Sequence, residues 1–174
     1  MTTLELLSLF PFFFFFILSA TSSFNDASLI QQTCKHTPNQ ALCLQYLKSD
    51  PRSSDADISG LALIMVDAMK AKAKQAVAKI HQELQRRGHG DTETQALRSC
   101  AEQYSAVLEA DIPEAIAALQ KGDPKFAEDG ANDAALEANS CESSFSSGKS
   151  LLTRENNDVH DIAQVTAAIV RNLL

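Results

Sequence analysis

The stretch KGDPKFAED, residues 121–129, places a cation and a large aromatic side chain next to each other. Lys125 and Phe126 follow Asp123-Pro124, a pair typical of a helix N-cap followed by proline at the first helical position. Lys125 would then be the second helical residue, where the helix macrodipole disfavours a cation by about 0.3–1 kcal/mol. A residue that breaks a local rule indicates either a compensating contact or a functional role.

Two interpretations of this stretch are open. In the first, Lys125 pairs with Asp129 four residues later, and Phe126 turns back into the core. In the second, the turn is a docking element: proline fixes φ, the lysine supplies a cation at the apex, and the phenylalanine is an aromatic anchor beside it. The residues alone slightly favour the first interpretation.

Elsewhere, residues that could do catalytic or metal chemistry are not grouped. No two histidines have the helical spacing of a metal site, and no G-x-S-x-G serine motif occurs. The acidic pairs Asp55/Asp57 and Glu128/Asp129 lack the apolar surroundings that would raise a carboxyl pKa. The acidic run 156–161 is more typical of a solvated helix start. The residues therefore indicate no enzyme, and we expect no metal or cofactor.

The first 23 residues differ from the rest of the chain. Residues 6–18 are almost wholly apolar and small residues follow at 19–23, a pattern typical of a secretory signal peptide, although Glu5 replaces the usual positive start. The apolar run is too short for a hydrocarbon core of about 30 Å, so we expect no membrane anchor. We therefore predict a removed signal peptide, 1–23, and one mature domain, 24–174.

The charge of the chain argues against nucleic acid as a partner. The formal charge is −7, and it becomes −6 in the mature chain because Glu5 is the only charged residue lost. Phosphate binding needs a concentrated basic surface. The basic residues between 70 and 87 are more typical of a solvated helix face.

Helices are favoured along the mature chain, which is rich in Ala, Leu, Glu, Lys and Gln. Four stretches with apolar spacings of three and four predict amphipathic helices. The first runs from Ile58 to Gly88, and the second from Leu97 to Gly122 with a kink at Pro113. The third begins at Asp123-Pro124 and continues through Phe145, and the fourth runs from Val159 to the C-terminus.

The predicted fold class is all-α: an antiparallel up-down-up-down four-helix bundle over 58–174. Two shorter helices, 28–35 and 38–47, precede it as a hairpin, broken at Thr37-Pro38. Residues 49–57 are predicted to be a linker, so the hairpin and linker together occupy 24–57. Short turns between amphipathic helices are typical of such bundles.

The four cysteines of a secreted chain should form two disulfides, and four cysteines permit three pairings. Residues equidistant from the turn of an antiparallel hairpin face each other. The midpoint of Cys34 and Cys43 falls at Pro38, and that of Cys100 and Cys141 falls beside Gly122. Both are predicted turns, so Cys34–Cys43 and Cys100–Cys141 is the favoured pairing.

Four stretches resemble the plant invertase and pectin methylesterase inhibitors, and among them the tobacco-type cell-wall invertase inhibitors. The resemblance covers residues 25–174 and implies a small secreted protein with a four-helix bundle, an N-terminal helical hairpin and two disulfides. The stretches are TCKHTPNQALCL (33–44), DISGLALIMVDAMKAKAKQA (57–76), IPEAIAALQKGDPKFAEDG (112–130) and AIVRNLL (168–174).

The motif Pro124-Lys125-Phe126 is associated with the invertase branch of that family. The resemblance implies that this motif, with Asp123 and Glu128 beside it, enters the active site of a plant acid invertase. That enzyme would be in the cell wall, or else in the vacuole. The alternative within the family is inhibition of pectin methylesterase through helix faces. An alternative from a different class is a helical structural or small-molecule carrier protein, which would need a continuous internal cavity lined by alanines and by methionines such as Met65 and Met69.

Overall fold

A computed structural model of the protein describes residues 29–145 and 150–174, so the predicted signal peptide lies outside the described residues. The regular structure within these two ranges is all helical, as predicted. None of the helices there is long and apolar enough to cross a lipid bilayer. The helices are residues 29–35 (α1), Gln40–Ser49 (α2), Ile58–Gln85 (α3), Asp91–Ala106 (α4), Ile112–Lys121 (α5), Pro124–Ser143 (α6) and Thr153–Val170 (α7), with short 3-10 turns at Pro51–Ser54 and Arg171–Leu173.

The apolar stripe of α3 forms the centre of the core. Its side chains at spacings of three and four, from Leu61 through Met65 and Met69 to Ile80, are completely buried. Full burial of one such side chain stabilises the fold by about 1.5–3 kcal/mol. Met65 and Met69 thus have the surroundings of ordinary core residues, which argues against the carrier alternative.

The second predicted helix is divided at the predicted kink. Residues Val107–Asp111 form a π-helical turn between α4 and α5, and the Ile112 N–H donates to the Val107 carbonyl, five residues back. Pro113, in the first turn of α5, has no N–H, and in a regular helix its ring would clash with the carbonyl four residues earlier. The wider π-helical turn accommodates the proline ring.

Helices α5 and α6 meet at a tight turn. Gly122 has a φ of 75°, the left-handed conformation that glycine adopts without strain. The Asp123 N–H donates to the Ala118 carbonyl over 2.9 Å, which ends α5 in a Schellman-like cap. Pro124 is the first residue of α6.

Both disulfides have the predicted pairing. Cys34 and Cys43 join α1 to α2, while Cys100 and Cys141 join α4 to α6 with their Cα atoms 4.6 Å apart. Gly130 also lies against the Asp111 carbonyl, and this pair has the same sequence midpoint as Cys100 and Cys141. The α4–α5 segment and α6 therefore run in opposite directions from the Gly122 turn.

Gly130 permits the close approach of α6 to the π-helical turn. A Cβ atom added at this position would lie 2.6 Å from the Asp111 carbonyl oxygen. We expect Gly130→Ala to lower the free energy of unfolding by about 2 kcal/mol, because backbone must move to admit the methyl group. Urea denaturation measures this, with Gly90→Ala as the control, since a Cβ there meets nothing within 4 Å. Equal stabilities of the two variants would show that the contact is not tight.

The side chain of Asp111 is buried in the π-helical turn. Its Oδ2 atom has no hydrogen-bond partner among the described residues. Burial, and after it the nearby carboxylates of Asp133, Glu137 and Glu114, together raise the pKa of Asp111 to about 6. Because the folded pKa lies above the ordinary value, the carboxyl destabilises the fold progressively as the pH rises from about 4 through 6.

We expect the free energy of unfolding of Asp111→Asn, relative to that of wild type, to be higher at pH 7.5 than at pH 4. The difference in unfolding free energy between the two proteins should change by about 2 kcal/mol across that range, because asparagine does not ionise. Denaturation at both pH values measures the change. A constant difference would place the titration of Asp111 outside the range.

Helices α6 and α7 are joined by polar contacts at both ends. Near the end of α6, Glu142 accepts from the Asn156 amide at 2.6 Å, and Asn156 in turn accepts from the Tyr104 hydroxyl at 2.9 Å. At the opposite end, Arg171 contacts Glu128. The two helices therefore run in opposite directions. Asn156 is buried, so the expectation of a solvated helix start was wrong for this residue.

Candidate functional site

The stretch singled out in the sequence lies at the exposed turn between α5 and α6. We call Asp123, Pro124, Lys125 and Phe126 the tip. Asp123 is at the N-cap position of α6, but its side chain makes no capping hydrogen bond and is exposed. A carboxylate beside a helix N-terminus is nevertheless favourable, because the macrodipole is positive there.

Lys125 points outward and is held by two carboxylates of its own helix. Its side chain is 61% exposed, and Nζ donates to Asp129 at 2.8 Å and to Glu128 at 3.1 Å. The hydrogen bond to Asp129, and then the one to Glu128, raise the pKa of Lys125. These two contacts offset the unfavourable position of a cation in the first turn of α6. The pairing with Asp129 is the one that the first interpretation predicted.

Phe126 does not turn into the core. It is 52% exposed, whereas the next residue, Ala127, is completely buried. The first interpretation was therefore wrong for the aromatic ring. A phenylalanine left half in solvent is a large apolar contact surface beside the cation, which is the arrangement of the second interpretation.

Glu128 connects the tip to the end of the chain. Its side chain is only 10% exposed, and its two oxygens are divided between two cations: Arg171 Nε donates to Oε1 at 2.6 Å, and Lys125 Nζ donates to Oε2 at 3.1 Å. The hydrogen bond from Arg171 is the largest cause that lowers the pKa of Glu128, and that from Lys125 adds to it. Sequence reasoning named Glu128 but missed Arg171, since a pairing over 43 residues leaves no local signal.

An apolar hollow of about 180 Å³ lies directly beside the tip. Leu119 and Leu173 line it, together with Asp123 and Pro124 of the tip. The ends of three elements, α3, α5 and the last 3-10 turn, meet here around Ser59, Gly122 and Leu173. The tip is therefore built on a junction of helices and not on an isolated loop.

A larger groove of about 420 Å³, lined mainly by charged and amide side chains, lies between α3 and α7. Its cations are already paired: Lys72 with Asp158 at 2.7 Å and Arg154 with Glu155 at 2.6 Å. Lys79, also at this groove, contacts Glu83. Two lysines of α3, Lys72 and Lys79, are thus held in ion pairs. In residues 29–145 and 150–174, no three His, Cys, Asp or Glu side chains are arranged to hold a metal ion.

Comparison with known proteins agrees with this fold. The model of the family "Plant invertase/pectin methylesterase inhibitor" matches residues 28–169. The chain is 43% identical over 145 residues to "Cell wall / vacuolar inhibitor of fructosidase 1" from Arabidopsis thaliana, covering 83% of this chain and 69% of that protein. It is 34% identical over 117 residues to "Pectinesterase inhibitor" from Actinidia deliciosa, covering 67% and 62%.

A solved structure is similar in fold. The crystal structure of a mutant form of a pectin methylesterase inhibitor from Arabidopsis superimposes with a TM-score of 0.68, covering 79% of this chain and 92% of that chain at 22% sequence identity. The all-helical fold and the family resemblance read from the sequence are thereby confirmed. The chain belongs to the plant invertase/pectin methylesterase inhibitor family, whose members inhibit enzymes and are not enzymes themselves.

Proposed function

We propose that this protein is a secreted inhibitor of a plant acid invertase, a β-fructofuranosidase, and that its tip blocks the sucrose-binding active site. The observation that carries this proposal is the joint exposure of Lys125 and Phe126 at the start of α6. The similarity to an inhibitor of fructosidase over 83% of the chain supports the choice of target.

The chemistry of the tip fits the pocket of such an enzyme. Retaining glycosidases hold two carboxylates about 5–5.5 Å apart and stabilise a positively charged, oxocarbenium-like transition state. A lysine ammonium is a compact cation with three donors, and it can hydrogen-bond to both carboxylates. Phe126 would lie against the pocket mouth, so that sucrose is excluded by volume as well as by charge.

The turn is also prepared for docking. Pro124 fixes φ, Gly122 and the cap at Ala118 end α5, and the Cys100–Cys141 bond ties the two helices behind the turn. A preorganised backbone loses less conformational entropy on binding. Lys125 has to exchange Asp129 for the carboxylates of the enzyme, and the half-exposed position of Asp129 leaves that exchange sterically open.

Inhibition of pectin methylesterase is the second candidate function. The similarity to a pectinesterase inhibitor over 67% of the chain favours it. In this case the contacts with the enzyme would be made through helix faces, and the tip would make none of them. The two candidates therefore assign different roles to the same exposed lysine.

An inhibition assay of the mature protein against both enzymes separates these candidates. We expect loss of sucrose hydrolysis by acid invertase at stoichiometric inhibitor and no effect on pectin methylesterase. The opposite result would assign the protein to the esterase branch. The mature protein is residues 24–174 in this proposal, with residues 1–23 removed on secretion to the cell wall or, alternatively, on delivery to the vacuole.

A further inference from the structure

We propose that Arg171 is a positioning residue for Lys125, which acts by holding one oxygen of Glu128 so that the other faces the lysine at the tip. This inference rests on the proposed function for its consequence in inhibition. The contact itself is a property of the free protein.

Arg171 holds Glu128 from a second element of the fold, although its own side chain is 51% exposed. Arg171 lies in the 3-10 turn that follows α7, and its Nε reaches Glu128 Oε1 at 2.6 Å, whereas Lys125 is 3.1 Å from Oε2. The first contact joins the 3-10 turn after α7 to α6, whereas the second joins residues one turn apart on α6. A carboxylate held from a second element has less freedom to rotate than one held from its own helix.

The two carboxylates that hold Lys125 differ in how firmly they are placed. Asp129 is 45% exposed, whereas the Glu128 side chain is 10% exposed and requires partners for both oxygens. When Lys125 meets the carboxylates of a target, Asp129 can turn away into solvent. Glu128 keeps its hydrogen bond from Arg171, so one of the two acceptors of the Lys125 ammonium remains in a defined position.

Loss of the Arg171 side chain removes this restraint on the Glu128 carboxylate. Without the hydrogen bond to Oε1, the Glu128 carboxylate is free to rotate. It then either accepts from the Lys125 ammonium with both oxygens or turns outward into water. Either change moves Nζ away from its place at the tip. Productive contacts in enzyme pockets require placement within about 0.5 Å, so such a displacement weakens binding.

NMR of the free protein tests the contact directly. In Arg171→Met we expect the pKa of Glu128, followed by its side-chain ¹³Cδ shift, to rise toward the ordinary value. We also expect ¹³Cε relaxation of Lys125 to show increased motion. Arg154→Met, near the start of α7, is the control, because Arg154 pairs at 2.6 Å with Glu155, a carboxylate that is also 10% exposed. Unchanged Lys125 motion in Arg171→Met would overturn the proposal.

A double-mutant cycle then measures the consequence for inhibition. Arg171→Met should raise the inhibition constant for acid invertase about tenfold, and in a Lys125→Met background it should have less than about a twofold effect. Arg171→Lys, which keeps a cation, should restore most of the loss, and Arg154→Met should match wild type. An equal loss in both backgrounds would show that Arg171 acts on the fold in general and would overturn positioning.

The two proposals fail in different ways. If Lys125→Met weakens inhibition and Arg171→Met does not, the positioning role is wrong and the inhibitory tip stands. If Lys125→Met itself leaves inhibition unchanged, the tip is wrong, and the NMR measurements still decide whether Arg171 places Lys125.

Discussion

Lys125→Met should weaken inhibition of plant acid invertase by about 2–5 kcal/mol, which is roughly 30-fold to several thousand-fold in the inhibition constant. Methionine keeps an unbranched apolar side chain and removes the ammonium, which is 61% exposed at the tip of the protein. Most of the loss comes from the carboxylates of the enzyme, which would be covered by the inhibitor and left without a cation.

The matched control for this variant is Lys121→Met. Lys121 is an exposed lysine in the last turn of α5, four residues before Lys125, and it contributes the same charge to the long-range field. We expect its inhibition constant to stay close to that of wild type. Equal losses in the two variants would indicate general electrostatic attraction, and an unchanged constant in Lys125→Met would contradict the tip model.

Removal of the Cys100–Cys141 bond by a double substitution to alanine should lower the free energy of unfolding by about 4 kcal/mol in the chain-entropy account. The bond closes a sequence separation of 41 residues, so its loss enlarges the freedom of the unfolded chain. Urea denaturation under non-reducing conditions measures the change. A native domain has only about 5–15 kcal/mol of stability, so the variant would be close to unfolding at moderate temperature.

The second disulfide is the internal control. Cys34–Cys43 closes a separation of only 9 residues, and its removal should cost about 3 kcal/mol. The loss should therefore be smaller than for Cys100–Cys141. A larger loss for the short loop would contradict the loop-length argument and would indicate that the native contacts around α1 and α2 dominate.

Part of the site was predictable from the sequence with information that lies close in the chain. Asp123-Pro124 marked the start of α6, and Gly122 marked the end of α5, because turn and cap chemistry acts on neighbouring backbone groups. The exposure of Phe126 also had a signal. The apolar stripe Ala134, Ala138 and Cys141 continues backward from Ala134 by three residues to Ala131 and then by four to Ala127. It therefore includes Ala127 and not Phe126.

Other features required contacts between distant residues. The pairing of Arg171 with Glu128 and the burial of Asn156 under Tyr104 each join different helices, and no local pattern encodes either one. The kink at Pro113 was predictable, since proline removes a hydrogen bond. That the resulting π-helical turn packs against Gly130 depends on the approach of α6.

The sequence by itself determined the helices, their turns and the pairing of the four cysteines, because periodicity, capping and distance from a turn are local properties of the chain. The tertiary structure alone decided that Glu128 is shared between Lys125 and Arg171, and that the tip stands beside an apolar hollow at the meeting of three helix ends. The physical reason is that charges and apolar walls from separate helices meet only after the core has set the helices side by side.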